Sequence, residues 1–161
     1  MYTPAHSYHP GANAYARMGT ESGAMSASPQ QLITMLFDGA KTAITMARHH
    51  MANKEIAAKG IAISKAINIV ENGLKASLDA DAGGAAGADL VANLAALYDY
   101  INERLLYANL RNDPALLDEA DRLLESLGSA WRESDPRQSS HSSAASLASA
   151  IPATARFSIG A

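Results

Sequence analysis

Between residues 28 and 134 the chain carries four successive stripes of apolar residues at alternating three- and four-residue spacing, with no useful stretch of period two. That spacing keeps side chains on one face of a helix, whereas a half-buried strand would alternate. The pattern therefore predicts an all-α chain. Ser28-Pro29-Gln30-Gln31 opens the first helix: Ser28 suits the cap, Pro29 the first turn, and Gln31 completes a capping box. Its stripe is Leu32, Leu36, Ala40, Ala43, Ala47 and Met51. Asn53 is placed as the cap of a second helix striped by Ile56, Gly60, Ile63, Ile67, Val70, Leu74 and Leu78. The run from Asp81 to Gly87 breaks the pattern. A third stripe follows at Leu90, Leu94, Leu97, Ile101, Leu105 and Ala108. Asp113-Pro114 starts the fourth helix, with Leu116, Ala120, Leu123, Leu127 and Trp131 in line. Short connections then favour an antiparallel up-down four-helix bundle.

The flanks differ in kind. Residues 1–27 hold one basic and one acidic residue, Arg17 and Glu21, and no helical period. This zone reads as a flexible N-terminal arm. Residues 135–161 are dominated by Ser and Ala, with Asp135 as the sole acid, and a disordered tail is expected there. The bundle domain is thus placed at 28–134. No basic, apolar leader opens the chain and no uncharged stretch is long enough to span a bilayer, so a cytoplasmic protein without membrane insertion is expected.

Several chemistries fall away. The chain has no cysteine, which removes disulfides, thiolate metal sites and thiol nucleophiles. Its net charge of −3 argues against a nucleic-acid binder. A di-iron bundle site requires Glu-x-x-His pairs, and no Glu here precedes a His at that spacing. His49 and His50 are adjacent, so they point about 100° apart on a helix and read as cations near its C-terminal end. Gly83-Gly84 and Gly87 lack the Lys-Ser or Lys-Thr of a phosphate loop. Asp118, Glu119 and Asp121 read as a solvated face. No enzyme, no metal and no cofactor are expected.

The informative feature lies beside the main stripes. The third helix has a second row, Asn93, Ala96, Tyr100, Glu103, Tyr107 and Leu110. The second has Ala58, Ala62, Lys65, Ile69 and Ala76, and the first Met35, Gly39, Thr42 and Met46. Two readings stand side by side. These rows widen the core, with the tyrosines covering its rim. Or they line outer grooves, with small residues as floor and Tyr and Met as adaptable walls for a partner's apolar segment. On the second reading the contact residues are Met35, Met46, Ala62, Lys65, Ile69, Ala96, Tyr100 and Tyr107.

The same residues resemble a known family. Ala27-Ser28-Pro29, Leu32 and Met35-Leu36-Phe37-Asp38-Gly39-Ala40 are similar to the first-helix signature of the flagellin-specific export chaperones, the FliS family. Ser64 to Val70 with Leu74 and Leu78-Asp79, and Asn93 to Ile101 continuing through Arg104-Leu105-Leu106 and Ala108 to Asp113, resemble its second and third helices. Trp131 fits the end of its fourth. The resemblance spans roughly residues 13–134. It implies a cytoplasmic bundle that binds the disordered C-terminal segment of flagellin, holds it back from polymerising and delivers it to the flagellar type III export gate. It also implies that Tyr15, in Asn13-Ala14-Tyr15, serves as a lid over the binding surface. A generic helical adaptor or dimerisation module using the same faces is the alternative.

Overall fold

The computed structural model describes residues 26–79, 81 and 84–136. They form four helices, with no strand among them. Helix α1 is Pro29–Ala52. Helix α2 is Ile56–Asn68, prolonged by a π-helical stretch Ile69–Leu74 and a 3-10 turn Lys75–Ser77. Helix α3 is Gly84–Arg111 and α4 is Pro114–Glu133. Helix α1 packs on α2 and α4, and α3 on the same two. The chain is thus a four-helix bundle in which each helix meets its sequence neighbours and the last meets the first. The arm and the tail, apart from residues 26, 27, 135 and 136, lie outside the described residues.

Local chemistry explains most boundaries. The capping box on α1 is complete: the Gln31 amide donates to Ser28 Oγ at 3.2 Å and the Ser28 amide to Gln31 Oε1 at 2.9 Å. Asp113 caps α4 by accepting from the Ala115 amide at 2.9 Å, ahead of Pro114. Two expectations are corrected. Asn53 closes α1 rather than opening α2, its amide donating to the His49 carbonyl at 3.1 Å. Lys54, at φ 57°, makes the sharp turn, and Glu55 precedes α2 without a side-chain cap. Helix α3 also starts earlier than the break in pattern suggests. Gly84 adopts φ +69° at its first position, and the good helix formers Ala85 and Ala86 then continue the helix.

The core draws on every helix, including Phe37 and Ile44, Ile63 and Leu74, Ile101 and Leu105, and Leu117 and Leu124, all at most 2% exposed. Each such side chain contributes about 1.5–3 kcal/mol by leaving water. Small residues set the spacing. A Cβ on Gly73 would lie 3.0 Å from Leu36 Cδ2, and one on Gly39 would lie 3.5 Å from Ile69 Cδ1. The α1–α2 approach is therefore close, and it runs antiparallel.

Charges lace the rims. On the α1–α4 side Arg48 meets Asp118 at 2.8 Å, and Lys41 bonds Glu125 with Asp121 at 3.7 Å. Asp118 and Asp121 are thus paired across helices, not merely solvated. Trp131 donates its indole N–H to the Gln30 backbone carbonyl at 3.1 Å, and the Gln30 side-chain Nε2 donates to the Trp131 backbone carbonyl at 3.1 Å. That pair ties the end of α4 to the start of α1.

Candidate partner-binding surface

The eight residues expected at a partner surface separate into two places, and two of them lie below the surface. Ala62 and Ile69 are 6% and 3% exposed and belong to the core. The reason is geometric. Ile69 faces α1, where Gly39 leaves room for its side chain, and Ala62 is buried on the same helix. A partner would reach Ile69 only by parting the two helices. Met35 is half-buried, while Met46 and Lys65 are exposed. The register that sets Gly39 against Ile69 puts Met46 level with the early turns of α2, so Met46 and Lys65 flank the outer rim of the α1–α2 crevice.

The second place is α3 beside α4. Ala96 and Tyr100 are exposed and Tyr107 is half-buried. The Tyr100 hydroxyl donates to Glu119 of α4. That bond, aided by partial burial, raises the phenol above its ordinary pKa. Between the tyrosines stands Arg104, its guanidinium 4.8 Å from the Tyr100 ring centre and 5.8 Å from that of Tyr107. Arg111 covers the same Tyr107 ring at 4.8 Å. Each such contact is worth about 0.5–1 kcal/mol when exposed. The result is a ladder of alternating Tyr and Arg that offers flat apolar faces and charged donors in one strip.

Sequence reasoning passed over the arginines, because stacking partners four residues away look like ordinary surface charge. It also passed over Ile61, 73% exposed on α2. Leu106 and Leu110, 48% and 67% exposed, extend the apolar surface of α3. Tyr15, the expected lid, lies outside the described residues. Among the described residues no group of three or more His, Asp or Glu is placed to hold a metal ion, and no helix is long and apolar enough to cross a membrane.

Residues 11–138 match the family model described as Flagellar protein FliS. The chain is 48% identical over 139 residues to the flagellar secretion chaperone FliS of Salmonella typhimurium, covering 86% of this chain and 96% of that protein. It is 48% identical over 124 residues to the Escherichia coli protein of the same name, covering 77% and 88%. A Bacillus subtilis flagellar secretion chaperone FliS is 30% identical over 108 residues, covering 67% and 76%. With the helical bundle and the amphipathic outer strips already in view, these matches lead to one conclusion: the chain belongs to the FliS family of flagellar secretion chaperones.

Proposed function

We propose that this protein is a cytoplasmic export chaperone that binds the C-terminal segment of flagellin and hands it to the flagellar type III export gate. The observation that carries the reading is the exposure of Met46, Tyr100, Leu106 and Leu110, at 37–67%, on helices whose core stripes are already filled. The bundle leaves much of the apolar surface of these side chains in water, and a partner that covers it gains about 25 cal/mol per Å². A segment that folds as it binds loses roughly 2–5 kcal/mol of that gain in ordering. The net affinity can thus be enough to hold an unassembled subunit and still release it. Binding sequesters the segment, so it no longer drives polymerisation.

The contact residues on this reading are Met35, Met46 and Lys65 at the α1–α2 rim, and Ala96, Tyr100 and Tyr107 on α3. Lys65 adds at most about 1 kcal/mol by pairing with an acid on the partner. Tyr15 acts as a lid from the arm. The protein performs no catalysis and takes no cofactor. Calorimetric titration with a peptide of the flagellin C-terminal segment tests the proposal. Near 1:1 binding with a gain in peptide helicity is expected, while no heat and no helicity change would sink it. Deleting residues 1–20 leaves the affinity equal or higher if Tyr15 is a lid, and a large loss would overturn that role.

A further inference from the structure

One end of the bundle is left open on a stripe that faces inward elsewhere. Along α3 the stripe Leu90, Leu94, Leu97 and Ile101 passes from a fully buried Ile101, through half-buried Leu97 and Leu94, to Leu90 at 59% exposure. A residue on the core side of a helix is bare only where the neighbouring helix does not cover it. Helices α3 and α4 run antiparallel, joined through Tyr100 and Glu119, so the start of α3 lies beside the end of α4. There Leu127 and Trp131 are only half-buried. The start of α1 meets the same end through Gln30 and Trp131, and Leu32 is 38% exposed there.

The cations of this end are already engaged, Lys75 with Glu71 and Asp99 and Arg132 with Asp38 and Glu125, while three acids are left over. Asp79 and Asp81 stand in the α2–α3 connection and Asp89 near the start of α3, all exposed. No described cation forms an ion pair with any of them. The described chain leaves α4 at this same end and reaches Pro136. The residues that follow, 137–161, contain no acid, carry Arg137 and Arg156, and hold the apolar residues Leu147, Ile151, Phe157 and Ile159.

We propose that residues 137–161 fold back on their own bundle and cover the open α3–α4 end, with Phe157, Ile159 and Ile151 over Leu90, Leu94 and Leu127, and with the arginines beside Asp79, Asp81 and Asp89. Reach does not oppose this. A coil of that length spans about 25–30 Å, close to the roughly 30 Å length of α4. Tethering puts the segment at an effective concentration on the order of millimolar, so even weak apolar contacts are occupied much of the time. The proposal stands or falls whether or not flagellin is the partner.

The chain has no cysteine, so Thr154→Cys in the full-length protein accepts a single nitroxide label. Methyl NMR then reads its neighbours. Selective loss of the Leu90, Leu94 and Leu127 signals, with Ile56, Ile61 and Leu110 at the far end unaffected, is expected. Adding Phe157→Ser and Ile159→Ser to the labelled chain should restore the lost signals. Equal intensities at both ends overturn the proposal. So does a loss that appears only between labelled and unlabelled copies, which makes a second copy the occupant. A loss produced by a label at Tyr8→Cys and not by one at residue 154 assigns the open end to the N-terminal arm and overturns it too.

Discussion

Lys59 of α2 is buried to 2% exposure, and its ammonium lies 2.9 Å from the backbone carbonyl of Asn109 near the end of α3. It also donates to the Asn112 side chain, on a residue held at φ 51° just past that helix. The last carbonyls of a helix lack partners within it and carry partial negative charge. A lysine from the neighbouring helix answers both, which is why a charge can sit inside this bundle.

Replacing Lys59 with Ala removes the donor and leaves a cavity, and should cost about 2–4 kcal/mol. Lys59→Met keeps most of the stem and should cost less. Asn112→Gly preserves the positive φ while deleting the second acceptor, so its loss should overlap with that of Lys59→Met. Urea unfolding with an unchanged m-value checks each variant, and the double mutant measures the coupling. Fully additive losses would mean the two side chains act independently.

Gly73 tests the close approach of α2 to α1. Alanine there gains up to about 1 kcal/mol in helix propensity. Its Cβ, however, would meet Leu36 Cδ2 at 3.0 Å, and overpacking costs roughly 1–3 kcal/mol. A net loss is expected from Gly73→Ala, with Leu36→Val recovering part of it in the double variant. A more stable Gly73→Ala protein would show that Leu36 turns aside at no cost.

What was legible in the chain follows from where the information resides. Ala40, Ala47, Ile63, Val70, Leu74, Ile101, Leu105, Ala108 and Ala120 are all buried on the stripes read from spacing, because helix period is local. The capping box of Ser28 and Gln31 and the Asp113-Pro114 start are local too. Which neighbour a second row faces is not. Ile69 turned inward because α1 comes close at Gly39, and Ala62 is buried too, whereas Met46 of α1 stayed exposed. Lys59 breaks an apolar pattern, so its burial depends on a carbonyl fifty residues away. The π-helical stretch Ile69–Leu74 leaves the three-four spacing intact and has no mark in it.

The same contrast separates core from contact surface in an experiment. Ile69→Asp places an unpaired charge at a 3% exposed position and should cost about 3 kcal/mol or more, enough to impair folding. Tyr107→Ala removes two stacking contacts with Arg104 and Arg111, for roughly 1–2 kcal/mol at most. The bundle should therefore still melt cooperatively, yet bind the flagellin peptide more weakly. Unimpaired peptide binding by Tyr107→Ala would take that residue off the contact surface.

Tyr98 carries the clearest pH dependence. It is 4% exposed, and burial pushes its phenol up to about 12 from the ordinary value of 10.0. In the folded protein it keeps its proton where the unfolded chain loses it. The folded state then binds more protons, so stability falls as pH rises. The contribution is fully present below pH 10.0 and is lost as pH approaches about 12. A shift of that size corresponds to roughly 2–3 kcal/mol across the window. Lys75, raised by its bonds to Asp99 and Glu71, and Tyr100, raised by its bond to Glu119, lose stabilisation in the same direction. Tyr98→Phe isolates the buried phenol. Urea midpoints measured from pH 9 to 11.5 should fall less steeply for the variant than for the native chain, and parallel curves would place the alkaline loss elsewhere.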